Sequence, residues 1–346
     1  MQHKVKEVRL KNGVTGLLID IPQAQVMNYD FSLRAGYYLA EEGKWETPHV
    51  MEHLLCGANQ KYRKARTFEA EVKKNGAYTN AYTSTYNVGY VGECADFEWD
   101  RILDLLLLSI SQPMFLQEEF TAEMGNVREE LTGYLTNYFR QLGVALSERV
   151  GFLVTSDRKR LSGLKDLTID DVRKHYKKTH HLGNTKFVIA GNLKGRRDEI
   201  IQTIEKKLQL PEGDLIDLPA TVFKKQTSPL YIENTTVESL YVSFSMLLPR
   251  RASEAEIDAL NALNNMLSGT MNSLILGDIR ERGLAYHIWS SGSRGHDYTV
   301  WDFDFQVSPE NAKEVIRVIV KQLKAVLGDG VTAELLKTSK NFALGS

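Results

Sequence analysis

Residues 47–55 read Thr-Pro-His-Val-Met-Glu-His-Leu-Leu, and no other stretch restricts the chain so tightly. Pro48 suits the first turn of a helix, where its missing N–H costs nothing, and Thr47 can serve as the N-cap. On a helix, His49 and His53 stand four residues apart and share one face. Two imidazoles so placed can hold one tetrahedral Zn²⁺ and leave positions for a third ligand and a water. Glu52 borders the same face, so its carboxylate can reach that water as a general base without being a ligand. With 8 His and 26 Glu among 346 residues, chance produces His-x-x-Glu-His about 0.01 times per chain. The alternative is an exposed helix turn that carries these residues by coincidence. A third ligand decides between the two.

A second helix is expected over 117–134 from the spacing of Phe120, Met124, Val127, Leu131 and Leu135. It carries Glu123, Glu129 and Glu130. Glu123 and Glu130 are two turns apart and project from one face, whereas Glu129 is turned away by one helical step. A carboxylate here can complete a two-histidine, one-glutamate site, or hydrogen-bond a ligand histidine and fix its tautomer. A solvated acidic helix face would use the same residues.

Length suggests two domains, and 42% hydrophobic residues suffice for two cores. A net charge of −1 gives no electrostatic argument for nucleic acid or an anionic membrane. The first residues alternate in charge, which does not read as a signal peptide, and the apolar run within 102–110 is too short to span a bilayer. Only Cys56 and Cys94 are present, so a reducing cytoplasm is the expected setting. Cys56 lies one helical step off the histidine face and is expected to be a buried thiol, and the adjacent His180 and His181 to be solvated.

Along the chain, residues 5–10 and 14–19 flank Asn12-Gly13 and predict a hairpin, followed by a strand over 26–35. Further elements are expected as a helix over 67–75, strands over 77–83 and 85–93, and helices over 97–111 and 142–152. A helix capped by Thr168, a strand over 186–190 and a helix over 197–208 follow. Residues 228–346 repeat the strand-then-helix order of the first part without its histidines: a strand over 239–248, a helix over 254–267, strands over 285–291 and 301–306, and helices over 309–327 and 332–344. The reading is an α+β fold used twice, with a first domain over 1–210, a linker over 211–227 and a second domain over 228–346.

His-x-x-Glu-His, followed 77 positions after His53 by Glu130 in a Glu-x-x-x-Val-x-x-Glu setting, resembles the pitrilysin/insulinase family of zinc peptidases. Asn80-Ala81-Tyr82-Thr83 is similar to that family's Asn-Ala-x-Thr strand. Arg280-Glu281-Arg282-Gly283-Leu284-Ala285-Tyr286 is similar to its Arg…Leu-Ala-Tyr segment. The nearest shape is the short, two-domain branch that includes the mitochondrial processing peptidase subunits. The resemblance implies two homologous α/β-roll domains of mostly antiparallel sheet with helices packed on it. It implies that His49, His53 and Glu130 bind Zn²⁺, that Glu52 activates the water, and that Glu123 supports the site through a ligand histidine. Asn80 and Ala81 would lie on an edge strand that an extended peptide substrate joins. Arg280 and Tyr286 would hold the peptide and stabilise its oxyanion.

The implied activity is endoproteolysis of peptides or small unfolded precursors in a closed chamber, by a homodimer or a paired family subunit. The alternative is a catalytically silent member that acts as scaffold or peptide-binding partner. Three features depart from the family pattern. Cys56-Gly57-Ala58-Asn59 stands where the family commonly has Phe-Lys-Gly-Thr after the motif. Trp45-Glu46-Thr47-Pro48 replaces a small, apolar lead-in to the first histidine, and the second domain is expected to be shortened at its C-terminus.

Overall fold

The computed structural model describes residues 2–345, which form two compact units. Among the described residues, the first comprises 2–136 and 153–219, the second 137–152 and 220–345. The division differs from the sequence expectation in one element, a helix that leaves the first 210 residues to join the second unit.

In the first unit, β1 (Lys4–Arg9) and β2 (Thr15–Asp20) form the hairpin expected from Asn12-Gly13. Gly13 has φ +89°, a conformation that a side chain would strain. Next come β3 (Val26–Leu33), α1 (Thr47–Leu55), α2 (Ala65–Lys73), β4 (Tyr78–Thr83), β5 (Val88–Ala95), α3 (Trp99–Ser111) and α4 (Gln117–Tyr134). After α5 (Tyr138–Val150), which belongs to the second unit, the chain returns with α6 (Asp157–Gly163), α7 (Ile169–Thr179), β6 (Thr185–Gly191) and α8 (Arg197–Lys207). The six strands run in the order β1-β2-β6-β3-β5-β4. Every pair is antiparallel except β2–β6, so β4 forms one edge.

Alternation along β3 buries Met27, Tyr29, Phe31 and Leu33 on one face and leaves Val26 and Asn28 exposed on the other. The buried face joins Val50, Met51, Leu54 and Leu55 of α1, Ile102 and Leu106 of α3, and Ile200 and Ile204 of α8 in one apolar core. A helix buried on nearly all sides must account for each polar group it carries. For α1 those groups are His49, Glu52 and His53.

The second unit contains β7 (Leu240–Leu248), α9 (Glu254–Asn264), α10 (Leu274–Glu281), β8 (Ile288–Arg294), β9 (Thr299–Val307), α11 (Pro309–Asp329) and α12 (Ala333–Gly345). Its sheet order, β7-β9-β8, is antiparallel throughout and repeats β3-β5-β4 of the first unit with the same helices between. Helix α5 is held here by aromatic contacts. Tyr138 and Phe139 pack on Tyr241, and Phe152, just beyond the helix, packs on Phe223 and Tyr298. The rings outweigh chain proximity to α4, which is why the sequence order misassigned the helix.

Two expectations about single residues need revision. Cys56 is exposed where it caps α1, although burial around its thiol pushes that group up to about 12. His180 is wholly buried rather than solvated. Its Nδ1 lies 3.0 Å from the Thr179 hydroxyl, whose proton is already given to the His175 carbonyl, so Nδ1 must be the donor. The free Nε2 then accepts from the Tyr90 hydroxyl at 2.9 Å. The ring is thereby satisfied only when neutral.

His175, one turn earlier on α7, donates from Nε2 to the Ala35 carbonyl at 2.8 Å. Burial pushes it down from 6.5 to about 4, and burial also drives His180 well below the ordinary histidine value. Both rings are charged in the unfolded chain below pH 6.5 and neutral in the fold. Their stabilisation is therefore complete above pH 6.5 and is lost as pH falls towards 4. For His175 alone the loss is up to about 3 kcal/mol. Hydrogen exchange at α7 amides should accelerate across this window, and His175→Gln, which keeps a donor for Ala35, should remove part of the pH dependence. Exchange free energies that are flat between pH 7 and 4 would contradict the assignment.

Candidate metal centre

Helix α1 begins at Thr47 with Glu46 as its N-cap, one residue earlier than expected. The Thr47 hydroxyl donates instead to the Lys44 carbonyl at 2.7 Å. That start places Glu46 three residues before His49, and its Oε2 lies 2.8 Å from His49 Nδ1. The other nitrogen, Nε2, faces Glu130 Oε2 at 3.4 Å. His53 repeats the pattern: Nδ1 lies 2.8 Å from Glu123 Oε2, and Nε2 lies 4.0 Å from the same Glu130 oxygen. Each ring thus has a carboxylate on Nδ1 and directs Nε2 to one common point.

Candidate ligand atoms of His49, His53 and Glu130 lie within 4.8 Å of one another. Donors about 2.0–2.1 Å from a tetrahedral Zn²⁺ stand about 3.4 Å apart. The His49–Glu130 separation of 3.4 Å meets that value, and the His53–Glu130 separation of 4.0 Å is wider by a small side-chain movement. The donor set fits the metal. Carboxylates on both Nδ1 atoms are also the usual support for ligating histidines, because they fix the tautomer that leaves Nε2 free.

Charge makes the same point. Glu46, Glu52, Glu123 and Glu130 crowd the two rings, and the Arg160 guanidinium meets one of them, with Nε 2.5 Å from Glu46 Oε1. Burial alone would push His49 down, yet its hydrogen bonds to Glu130 and Glu46 raise it to about 9. The His49 bond in turn draws Glu130 down to about 2, helped by the Tyr134 hydroxyl. Glu123 is held below the usual carboxylate range by His53 and then Asn126. A proton on His49 therefore occupies a place that favours positive charge.

Glu52 behaves differently. Burial raises its carboxyl above the usual range, and the Thr83 hydroxyl, donating to Oε2 at 2.7 Å, offsets this only in part. Thr83 ends β4, so the edge strand itself orients Glu52. Asn80 is exposed and Ala81 buried on that strand. Across it, Tyr82 lays its ring over Gly89, where any side chain would clash.

Arg280 and Tyr286 lie in the second unit, where the structure brings them to each other. The Arg280 guanidinium sits 4.4 Å from the centre of the exposed Tyr286 ring. At the place in that unit that corresponds to the metal site by element order, Asn261, Asn264, Asn265, Ser268 and Ser339 line a cavity of about 660 Å³. Among the described residues, the metal-holding geometry occurs at His49, His53 and Glu130. Sequence reasoning missed Glu46, Arg160 and Thr83. Glu46 could have been found from its three-residue spacing to His49, but nothing local marks Arg160.

A family model described as "Insulinase (Peptidase family M16)" matches residues 41–148, which include both histidines and Glu130. A second, "Peptidase M16 inactive domain", matches residues 166–342, more than half of the chain. The chain belongs to the M16 peptidase family. It is 23% identical to a Bacillus subtilis protein named "Uncharacterized zinc protease YmxG", over 99% of this chain and 83% of that protein. It is 30% identical to the mitochondrial-processing peptidase subunit beta of Neurospora crassa, over 30% of this chain and 21% of that one. A protease of Helicobacter pylori has the same fold, with a TM-score of 0.80 at 19% identity, covering 99% of this chain and 85% of that one. Pitrilysin matches with a TM-score of 0.71 at 16% identity, over 97% of this chain and 37% of its own. The expected α+β, two-domain M16 architecture therefore holds.

Because His49 is held up to about 9 without metal, Zn²⁺ must displace its Nε2 proton at neutral pH. Calorimetry in buffers of different ionisation enthalpy should show about one proton released per zinc at pH 7, falling away above pH 9. Proton release that is zero at pH 7 would contradict the electrostatics described here.

Proposed function

We propose that the chain is a zinc-dependent endopeptidase that hydrolyses extended peptides or small unfolded precursors. The observation that carries this reading is the convergence of both histidine Nε2 atoms on Glu130, with a carboxylate behind each ring. Names of relatives as zinc proteases support the same chemistry. When bound, Zn²⁺ supplies Lewis acidity for the scissile carbonyl and for water.

The chain's own residues supply the rest. Glu52 takes the proton of the attacking water and passes it to the leaving nitrogen. Its burial-raised carboxyl suits both steps, and Thr83 fixes which oxygen remains free. The substrate adds to the free edge of β4 as a further strand, so backbone hydrogen bonds rather than side-chain identity hold it beside Asn80 and Ala81. Arg280 and Tyr286 bind the peptide and stabilise the developing oxyanion, in one chain or across a homodimer or paired subunit. Relatives named as a processing-peptidase beta subunit agree with pairing. Among the described residues no helix is long and apolar enough to cross a membrane, and we place the activity in the cytoplasm.

Glu52→Gln should lower cleavage of an unstructured peptide by 10²-fold or more while zinc content stays at the wild-type level. Equal cleavage by wild type and variant, insensitive to chelator, would remove the assignment. A variant that loses zinc as well would place Glu52 among the ligands instead.

A further inference from the structure

We propose that Arg160 and Glu46 are a positioning pair for His49, setting the tautomer in which that ring can bind metal. The inference rests on the zinc-site reading above and assigns a role to residues outside the motif.

A neutral imidazole carries its proton on one nitrogen, and the partner of that nitrogen decides which. Glu46 Oε2, 2.8 Å from His49 Nδ1, is an acceptor, so the proton is held on Nδ1 and the Nε2 lone pair is released towards Glu130. Such support works only if the carboxylate stays in place. Glu46 is 2% exposed and has no water shell to hold it. Arg160, itself 8% exposed, replaces that shell by touching both oxygens, Nε to Oε1 at 2.5 Å and Nη2 to Oε2 at 3.1 Å. Two parallel bonds fix the carboxylate plane as well as its position.

The guanidinium is anchored in turn. Its Nη1 lies 3.3 Å from Asp157 Oδ1, and Nη2 donates to the Tyr37 hydroxyl at 2.9 Å. The face of the Tyr37 ring lies 5.1 Å away, and Trp45 stacks against that ring at 5.5 Å. The pair thus joins α6 to the Trp45-Glu46-Thr47-Pro48 lead-in, a segment that departs from the family pattern. His53 has no counterpart, because its Glu123 side chain is 25% exposed and is shared with Asn126. The two ligand rings are therefore supported unequally, one sealed and one open to water.

Glu46→Gln, Arg160→Met and Arg160→Lys separate this role from general stability. Zinc dissociation constants are measured by chelator competition, and the His49 tautomer by long-range ¹H–¹⁵N spectra of the metal-free chain at a pH where the ring is neutral. Glu46→Gln and Arg160→Met should weaken zinc 10- to 100-fold. The Glu46→Gln amide can also donate to Nδ1, so its spectrum should show the Nδ1–H signal of His49 reduced. Arg160→Lys, which keeps the charge on Glu46, should recover most of the affinity. If Arg160→Met does not fold, Glu46→Gln decides. Unchanged affinity and an unchanged His49 tautomer in Glu46→Gln would overturn the proposal while leaving the zinc site standing. Wild-type chain that fails to bind zinc would instead remove the reading on which it rests.

Discussion

Four carboxylates held against two imidazoles on a buried helix are the arrangement on which the rest of this molecule depends. Apolar packing alone would not tolerate it, since each charge taken from water must find a partner. Part of the compensation is built in, through Arg160 on Glu46, Thr83 on Glu52 and Asn126 on Glu123. The remainder is left to a positive charge at the point where both Nε2 atoms converge, which is a proton on His49 or a divalent ion. A site of this kind is destabilising when empty of cation, and its surroundings must be rigid enough to hold it. The core beneath α1 provides that rigidity, with Val50, Met51, Leu54 and Leu55 packed on the sheet.

The duplication of the fold sharpens this account. Both units use a strand, two helices, a hairpin and two more helices in the same order. In the second unit the corresponding place is a cavity lined by asparagines and serines together with Trp289, Phe342, Asp258 and His287. The same backbone plan therefore accepts either a charged metal cluster or a cavity of mixed polar and apolar lining. Within this shared plan, which the first unit extends with β1, β2 and β6, the units are distinguished by the side-chain chemistry on one helix and on the fourth helix that faces it.

Much of this was legible in the sequence, for reasons that are local. The four-residue spacing of His49 and His53 and the two-turn spacing of Glu123 and Glu130 are helix periodicities, and the Asn12-Gly13 hairpin follows from the φ that glycine permits. Thr168 caps α7 as expected, and Asp171 completes a capping box with it. What sequence could not supply was long-range. Arg160 reaches Glu46 across 114 positions, and its helix α6 is short and without a strong apolar stripe. Helix α5 was assigned to the wrong unit because ring contacts with Tyr241 and Tyr298 have no local signature. His180 was misread because its neighbours, Tyr90 and Tyr176, come from distant chain or from an earlier turn.

The account is tested most directly by anomalous diffraction at the zinc edge from crystals of the chain grown with stoichiometric zinc. It predicts one strong peak per chain, within about 2.0–2.2 Å of His49 Nε2, His53 Nε2 and a Glu130 carboxylate oxygen. The Nδ1 atoms should still face Glu46 and Glu123. A map with no peak among these three residues, or with zinc bound only elsewhere on the chain, would contradict it.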